Sequence, residues 1–362
     1  MAPGAYDWSR DANAIWMVKA AQERGVTQVV AFANSSPARM TVSGRTSGEA
    51  NGGSNLRPEM VDDFARYLVD IARHLREDEG IPVTWISPTN EPQWDWSDEN
   101  GQEGCHYTTD EIVAVTRALL DTLEEEGLDV GISVPESGEW KSSTVYLDAL
   151  MEDPALAGAL DHFAVHSYWS NRGEKERFAR YVKTHYPDLE IWMSEWTEMK
   201  NGRDLSMDSA LVLADTVYED LTAGGVTSWQ YWIAVSRYFF RDGLIYVSPP
   251  TQEMEVPRRL WALGNFSRFV RPSYVRIDAT DLEDAALRVV AFRSPDESEI
   301  VVVVVNHAIE PRTVGLSVQG AQVREVQVFE TSEAHELALV HEGKVPREIT
   351  FAAQSVTTLV LD

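Results

Sequence analysis

The first 271 residues alternate between short apolar runs and longer stretches in which apolar residues recur at helical spacing. The short runs are typical of buried strands and the longer stretches of amphipathic helices. Strands are predicted at 27–33, 82–89, 129–134, 162–168, 189–195 and 228–233. Helices are predicted at 9–24, from 58 onward, and at 108–126, 143–151, 174–184, 206–223 and 258–269. This order predicts an α/β fold with a parallel sheet, and the polar loops after the strands favour a (β/α)8 TIM barrel over an open sheet.

Residues 272–362 follow a different pattern, with short alternating runs and no helical spacing. Strands are predicted at 274–279, 286–293, 299–306, 312–318, 323–330, 346–351 and 355–361. Such strands predict an antiparallel β-sandwich. The run from Ile300 to Val305 is apolar at every position, as in a strand buried on both faces. We therefore predict two domains, a catalytic barrel at 1–271 and a β-sandwich side domain at 272–362.

Six predicted strands are two fewer than a (β/α)8 barrel needs. We interpret them as barrel strands three to eight, with the first two absent and the barrel incomplete at its amino terminus. An open barrel leaves unpaired backbone groups along two sheet edges. We therefore expect that the chain is either shortened at its amino terminus or completed by another chain, and that alone it is weakly active at best.

The charge of the chain excludes some classes of partner. Its 362 residues include 31 basic and 58 acidic side chains, for a net charge of −27. Such a field repels phosphate backbones and anionic lipid, and no stretch approaches the roughly 20 apolar residues of a membrane helix. We therefore expect neither nucleic acid nor a membrane as partner, and the oligomeric state stays open. The first eight residues contain no basic segment followed by an apolar one, so no signal peptide is predicted.

The strand at 82–89 runs into a segment that combines a carboxylate with two tryptophans. Its sequence is Asn90-Glu91-Pro92-Gln93-Trp94-Asp95-Trp96. Proline keeps Glu91 out of the helical region, and the carboxyl end of a barrel strand is where catalytic groups lie. Exposed indoles at Trp94 and Trp96 would form a sugar-stacking platform. The alternative interpretation, that Glu91 only caps the next element, does not account for these indoles.

A second predicted strand, at 189–195, also ends in a carboxylate and an indole, Glu195 and Trp196. In a barrel Glu91 and Glu195 would face each other across the mouth. Glycoside hydrolysis needs such a pair, because one carboxyl protonates the leaving oxygen while the other attacks the anomeric carbon or activates water. A separation of about 5 to 5.5 Å would predict retention of configuration through a covalent glycosyl-enzyme.

Two residues of the strand at 162–168 are further candidates. His166 and Tyr168 share one face of this strand, and we expect that face to line the barrel interior. Either side chain could hydrogen-bond the carboxylate that acts as nucleophile. The alternatives are a buried structural histidine and a packing tyrosine.

Three other positions have two interpretations each. Trp232, at the end of the strand at 228–233, forms either the floor under a bound sugar or part of the barrel wall. Glu136 and Glu139 follow the strand at 129–134 and either line a substrate subsite or belong to a surface loop.

Asn90-Glu91-Pro92 and Ser194-Glu195-Trp196 resemble the acid/base and nucleophile motifs of the 4/7 barrel clan of retaining glycosidases. Within that clan the chain resembles glycoside hydrolase family 30 over nearly its whole length. The supporting stretches are 6–9, 33–37 with 40–41, 53–56 and 102–106. The resemblance implies Glu91 as acid/base, Glu195 as nucleophile and Asn90 as the partner of the sugar 2-hydroxyl. It also implies a family that is often secreted, so localisation stays open.

We expect a retaining glycoside hydrolase that cleaves β-linked polysaccharide or oligosaccharide by double displacement, without cofactor or metal. The loop at 93–106 looks closest to endo-β-1,6-galactanase-like members, which predicts β-1,6-galactan of arabinogalactan type as substrate. The alternatives are β-1,6-glucanase, glucuronoxylanase, β-xylosidase or glucosylceramidase activity, a metal-dependent barrel hydrolase, or a non-catalytic carbohydrate-binding protein. The predicted substrate-binding residues are Asn90, Trp94, Trp96, His166, Tyr168, Trp196 and Trp232.

Overall fold

The computed structural model describes residues 5–97, 99, 101–280 and 284–362. The chain divides into two compact units, one formed by residues 1–195 with 224–229 and the other by residues 196–223 with 230–362. Within the described residues, no helix combines the length and apolar character needed to cross a membrane. The predicted domain boundary at 271 stays a prediction.

The first unit consists of parallel strands that alternate with helices. In chain order its elements are α1 (Ala12–Gln22), β1 (Val29–Phe32), α2 (Val61–Glu77), β2 (Val83–Ser87), α3 (Thr109–Glu126), β3 (Gly131–Ile132), β4 (Pro135–Ser137), α4 (Ser143–Glu152), α5 (Pro154–Ala159), β5 (His162–His166), α6 (Arg172–His185), β6 (Glu190–Glu195) and β7 (Ser228–Trp229).

All strand pairs of this unit are parallel, as the alternation of strand and helix predicts. One sheet has the order β1-β2-β3 and the other the order β4-β5-β6-β7. The residues between β3 and β4 bond to both sheets, because the Ser133 N–H donates to the Ile86 carbonyl at 2.9 Å and the Ala164 N–H donates to the Val134 carbonyl at 2.8 Å. β3 and β4 therefore share one position, and the strands occupy six positions in sequence order.

Local sequence signals fix the starts of two helices of this unit. At the start of α3, Thr108 and Glu111 form a capping box, and Gly127 in the left-handed region ends the helix. Asn171 and Glu174 form a second capping box at the start of α6. These helices begin within two residues of their predicted starts because the caps are encoded locally.

The beginning of the first unit differs from the rest. None of the residues of α1 is buried, and the side chain of Trp16 is 66% exposed. β1 contains no fully buried residue, and among the described strands it pairs with β2 alone. An apolar helix face and one strand edge are thus left uncovered by the described residues.

The second unit combines two helices with mostly antiparallel strands. Its elements are α7 (Met207–Glu219), β8 (Val235–Ser236), β9 (Ile245–Val247), β10 (Met254–Glu255), α8 (Arg258–Ser267), β11 (Val275–Ile277), β12 (Leu287–Arg293), β13 (Ile300–Asn306), β14 (Arg312–Gly315), β15 (Glu325–Thr331), β16 (Ala338–Lys344), β17 (Glu348–Phe351) and β18 (Ser355–Leu361). A π-helical turn at Asp220–Gly224 follows α7.

A six-stranded antiparallel sheet in the order β11-β12-β13-β18-β15-β16 organises this unit. One face packs with the two-stranded sheet β14-β17 around an apolar core that includes Val304, Leu359 and Phe351. The other face carries α7 and α8. β13 lies in the middle of the sheet, and of its predicted buried run only Val302 is not fully buried, which confirms that this strand is covered on both faces.

Several elements differ from the sequence prediction. The strand predicted at 228–233 ends at Trp229, and β4, α5, β8, β9, β10 and β16 were not predicted. β8, β9 and β10 have only two or three residues each. β16 is a mostly exposed edge strand without apolar alternation. Neither kind of strand leaves a period-two signal in the sequence.

We predict that Asn265→Ala destabilises the second unit. Asn265 is fully buried in α8, donates to Thr331 Oγ1 at 2.6 Å and accepts from Thr358 Oγ1 at 2.9 Å. Its loss leaves buried hydroxyls with fewer partners, which costs about 1–3 kcal/mol. Urea unfolding followed by tryptophan fluorescence should show a lower midpoint. The exposed Asn201 provides the control, and an Asn265→Ala midpoint equal to that of Asn201→Ala would contradict the prediction.

Candidate active site

Glu91 lies just beyond the end of β2, and both its backbone N–H and its backbone carbonyl form hydrogen bonds. Its φ of 42° is in the left-handed region, its N–H donates to the Glu136 carbonyl at 2.8 Å, and its carbonyl accepts from Trp96 Nε1 at 3.0 Å. Pro92 follows directly and keeps the chain from continuing as a helix. The side chain of Glu91 is buried and its carboxylate faces His166.

Glu195 is the last residue of β6 and lies beside His166, the last residue of β5, in the parallel register. His166 Nδ1 is 3.0 Å from Glu91 Oε1 and 3.8 Å from Glu195 Oε1. One carboxylate oxygen of each glutamate and one ring nitrogen of His166 lie within 4.8 Å of one another. The nearest oxygens of the two carboxylates are therefore closer than the roughly 6.5–9.5 Å that separates the carboxyl groups of inverting glycosidases.

Tyr168 contacts the same group of side chains. Its hydroxyl donates to Glu195 Oε1 at 3.0 Å, and its ring meets the His166 ring edge-on at 5.9 Å. Tyr168 therefore makes the predicted hydrogen bond to Glu195. His166 instead hydrogen-bonds Glu91 and lies 3.8 Å from Glu195.

A third carboxylate, Glu136, lies beneath the pair. It is only 2% exposed. Its Oε1 accepts from Ser87 Oγ at 3.0 Å and Ser133 Oγ at 3.1 Å, while its Oε2 accepts from Ser194 Oγ and lies 3.3 Å from His166 Nε2. The surface-loop interpretation is therefore wrong for Glu136. It is also wrong for Glu139, which is buried.

The proton equilibria of these groups are coupled. Burial disfavours a charge on His166, but the carboxylates of Glu195, Glu136 and Glu91 outweigh burial and raise its pKa to about 10. Burial raises the pKa of Glu195, and its contact with Glu91 adds to the rise. Burial also opposes the charge on Glu136, yet hydrogen bonds from His166 and the serines lower its pKa below the usual value.

Among the described residues, Glu91, His166 and Glu195 form the one group whose ligand atoms lie close enough to share a cation. However, both ring nitrogens of His166 face carboxylates, so a proton on each nitrogen satisfies both contacts. A doubly protonated imidazole has no lone pair for a metal. The arrangement therefore suits proton exchange and charge stabilisation rather than metal binding.

Near Glu91, Asn90 is buried, whereas the indoles of Trp94 and Trp169 are exposed to different extents. Asn90 is buried, and its Oδ1 has no hydrogen-bond partner among the described residues. Trp94 is partly exposed and meets Trp169 edge-to-face at 5.5 Å. Trp169 is 60% exposed and was not predicted, although it directly follows Tyr168 in the sequence.

The expectation of an exposed ring at Trp96 is wrong. Trp96 is only 7% exposed, and its indole packs on the backbone of Gly104, where any Cβ would lie 2.2 Å from the ring. Its indole N–H holds the Glu91 carbonyl. Trp96 therefore supports Glu91 from below and presents no stacking face.

Trp196 and Trp232 belong to the second unit. Trp196 is buried, and its carbonyl accepts from the Trp232 N–H at 3.0 Å. The side chain of Trp232 is 38% exposed. Their predicted roles in substrate binding stay predictions.

The sequence matches two family descriptions. "O-Glycosyl hydrolase family 30" matches residues 1–155 and 142–246, and "Glycosyl hydrolase family 30 beta sandwich domain" matches residues 275–359. The first two matched regions cover more than half of the chain.

Comparison with individual proteins indicates the same family. The chain is 23% identical to glucuronoxylanase XynC of Bacillus subtilis over 84% of its own length and 67% of the xylanase. It is 25% identical to endo-beta-1,6-galactanase of Hypocrea rufa over 64% of its length, which spans less than half, 46%, of the galactanase. The crystal structure of the family 30 subfamily 8 xylanase Xyn30A from Clostridium acetobutylicum superposes with a TM-score of 0.81 at 24% identity, covering 100% of this chain and 87% of Xyn30A.

These likenesses account for both parts of the fold, the parallel βα unit with its converging carboxylates and the antiparallel sheet that follows. The chain belongs to O-glycosyl hydrolase family 30, a family of glycosidases with a TIM-barrel catalytic domain and a β-sandwich domain.

Proposed function

We propose that this protein is a retaining glycoside hydrolase that cleaves β-linked glycans by double displacement. The observation that carries the proposal is the approach of one carboxylate oxygen of Glu91 and one of Glu195 to within 4.8 Å beside His166. This spacing suits direct attack by one carboxylate on the anomeric carbon and leaves little room for an intervening water.

The first step forms a glycosyl-enzyme. Glu195 attacks the anomeric carbon as a carboxylate, and Glu91 gives its proton to the glycosidic oxygen as the bond to the leaving sugar breaks. The Tyr168 hydroxyl at 3.0 Å orients Glu195 for this attack. Asn90, whose buried Oδ1 has no hydrogen-bond partner in the part of the chain that the structure describes, binds the sugar 2-hydroxyl beside the nucleophile.

The second step reverses these roles. Glu91, now a carboxylate, takes a proton from water, and the resulting hydroxide attacks the anomeric carbon. The bond to Glu195 breaks, the sugar leaves with its original configuration and both carboxyl groups return to their starting states.

We propose β-1,6-galactan of arabinogalactan type as the substrate. The likeness to the endo-beta-1,6-galactanase supports this choice, and the exposed Trp169 beside Trp94 offers an indole face on which a sugar ring packs. The likeness to XynC makes glucuronoxylan the main alternative. Comparing initial rates on β-1,6-galactan, β-1,6-glucan and glucuronoxylan separates these substrates, and binding without turnover on all three would indicate a carbohydrate-binding protein.

We also propose that the six strand positions of the first unit correspond to barrel strands three to eight, and that two further βα units pack against β1. The open edge of β1 and the uncovered helix α1 support this assignment. Trp16, 66% exposed on α1, would then be covered.

Replacement of each catalytic carboxylate should have a different result. Glu195→Ala should lower hydrolysis by more than about 1,000-fold on every substrate, because no glycosyl-enzyme forms. Glu91→Ala should retain activity on aryl glycosides with good leaving groups, and azide should increase that activity. Glu190→Ala, at the exposed opposite end of β6, is the matched control. Proton NMR of the first product should show the β anomer, and an initial α anomer would contradict the retaining mechanism.

The acid limb of the pH profile should follow Glu195. Burial raises the pKa of Glu195 above the ordinary 4.5. As the pH is lowered, kcat/KM should therefore begin to fall at a pH above 4.5, because Glu195 becomes protonated. Tyr168→Phe removes a hydrogen bond that lowers this pKa. The acid limb should therefore move up by about one to two pH units, since such bonds to charged groups contribute about 1.5–3 kcal/mol. Tyr181→Phe, which removes a bond to Asp148, should leave the limb in place; a downward shift in Tyr168→Phe would contradict the assignment.

Covering the β1 edge should protect its amides. In the 362-residue chain we expect the amides of Val29–Phe32 to exchange faster with deuterium than those of β5, which has strands on both sides. In a chain that carries two further βα units ahead of residue 1, these amides should become protected, and both Tm and hydrolysis should rise. Equal protection and equal activity in the two forms would refute the strand assignment.

A further inference from the structure

Glu136 is the most deeply buried carboxylate of the site, and the two-carboxylate mechanism does not use it. Its oxygens receive hydrogen bonds from three serines on separate segments: Ser87 at the end of β2, Ser133 before β4 and Ser194 in β6. Together with His166 they give each oxygen two donors. A carboxylate with four donors and almost no exposure to solvent is held as an anion in a single position.

The partner of this anion is His166, which is 1% exposed. One ring nitrogen, Nε2, faces Glu136 at 3.3 Å, and the other, Nδ1, faces Glu91 at 3.0 Å. A neutral imidazole donates from only one nitrogen, so it would turn a lone pair toward one of these carboxylates. When Glu91 is ionised, the geometry is satisfied on both sides only if the ring is a cation. When Glu91 is protonated, a cationic ring that donates to Oε1 leaves the Glu91 proton on the other carboxyl oxygen, where it is free for the glycosidic oxygen.

A buried cation needs a compensating charge that stays in place. Glu91 cannot provide it throughout the proposed reaction because it gains and loses a proton, and Glu195 loses its charge when it bonds to the sugar. Glu136 makes no contact with the anomeric centre in the proposed mechanism and keeps its charge throughout. It is therefore the one carboxylate around His166 that is constant over the cycle.

We propose that Glu136 is a positioning residue that keeps His166 protonated on both nitrogens and aims its Nδ1–H at Glu91 and Glu195. The inference rests on the proposed function. When Glu91 releases its proton to the leaving oxygen, the new carboxylate already has a charged donor 3.0 Å away. Glu136 also fixes Glu91 through the backbone, since its carbonyl accepts the Glu91 N–H at 2.8 Å.

The charged and titratable groups around His166 come from every neighbouring element. They are Glu91 beyond β2, Glu136 in β4, Glu195 in β6 and the ring edge of Tyr168 beyond β5. The pKa of His166, raised to about 10 by these carboxylates, agrees with a permanent cation. Loss of the Glu136 charge leaves the ring with two partners whose charges change during catalysis.

The unmodified protein allows a first test by NMR with 15N-labelled histidine. We expect the His166 signals to report two protonated nitrogens and to show no titration between about pH 5 and about pH 8.5, unlike an ordinary histidine near 6.5. His166→Asn identifies the signals. Titration of His166 within this range would overturn the inference without any change to Glu136.

Glu136→Gln provides the second test, since it keeps the size of the side chain and removes the charge. We expect kcat to fall by about 10- to 100-fold, the usual scale for losing a partner that orients a functional histidine, with little change in KM. His166 should begin to titrate in the neutral range, and the alkaline side of the kcat profile should move to lower pH. Unchanged kcat, pH profile and His166 signals in a folded variant would overturn the inference.

Asp215→Asn is the matched control. Asp215 bonds to the Nε2 of His307 at 2.8 Å, and both residues belong to the second unit, so this variant removes a carboxylate–histidine pair outside the unit that holds Glu136. It should retain the kcat profile and the His166 signals of the unmodified protein. Absence of hydrolysis on all β-glycans, both by the 362-residue chain and by the form with two further βα units, would overturn the proposed function, whereas the His166 spectrum would still decide the present inference.

Discussion

The buried charge on His166 constrains the whole site. Three carboxylates from the ends of β2, β4 and β6 lie around one imidazole on β5, and none of these groups has enough water around it to be stable alone. Each buried charge is tolerable only because the others are at hydrogen-bond or ion-pair distance. The relative positions of four strand ends are therefore fixed by one electrostatic requirement, and the placement of Tyr168 against Glu195 follows from it.

The backbone is adapted to meet this requirement. Glu91 and Glu136 both have a positive φ, 42° and 60°, a conformation that costs a non-glycine residue about 1–3 kcal/mol. The hydrogen bond from the Glu91 N–H to the Glu136 carbonyl joins the two strained residues to each other. The strain turns both side chains toward His166, and Trp96, packed closely on Gly104, holds the Glu91 carbonyl from the opposite side.

The sequence predicted the parts of this site that depend on strand order and missed those that depend on packing. Glu91 and Glu195 were predicted because parallel strands bring their carboxyl ends to one edge. Glu136 was not distinguished from a loop residue, because two of its serine partners lie 49 and 58 positions away and a Pro-Glu-Ser tripeptide after a strand is typical of a turn. Trp96 was misplaced for the same reason, since its burial depends on a glycine that the pattern does not connect with it.

The arrangement also determines where charge acts on the substrate. With Glu91 protonated, Glu136 and His166 cancel each other, so within this cluster one negative charge is left uncompensated, on Glu195. An oxocarbenium-like transition state develops positive charge at the anomeric carbon, and a preorganised anion is most effective when it lies at that atom. By neutralising the imidazolium from the side away from Glu91 and Glu195, Glu136 leaves the remaining negative charge on the carboxylate that attacks. The third carboxylate thus supports the other two by compensating the cation that separates them.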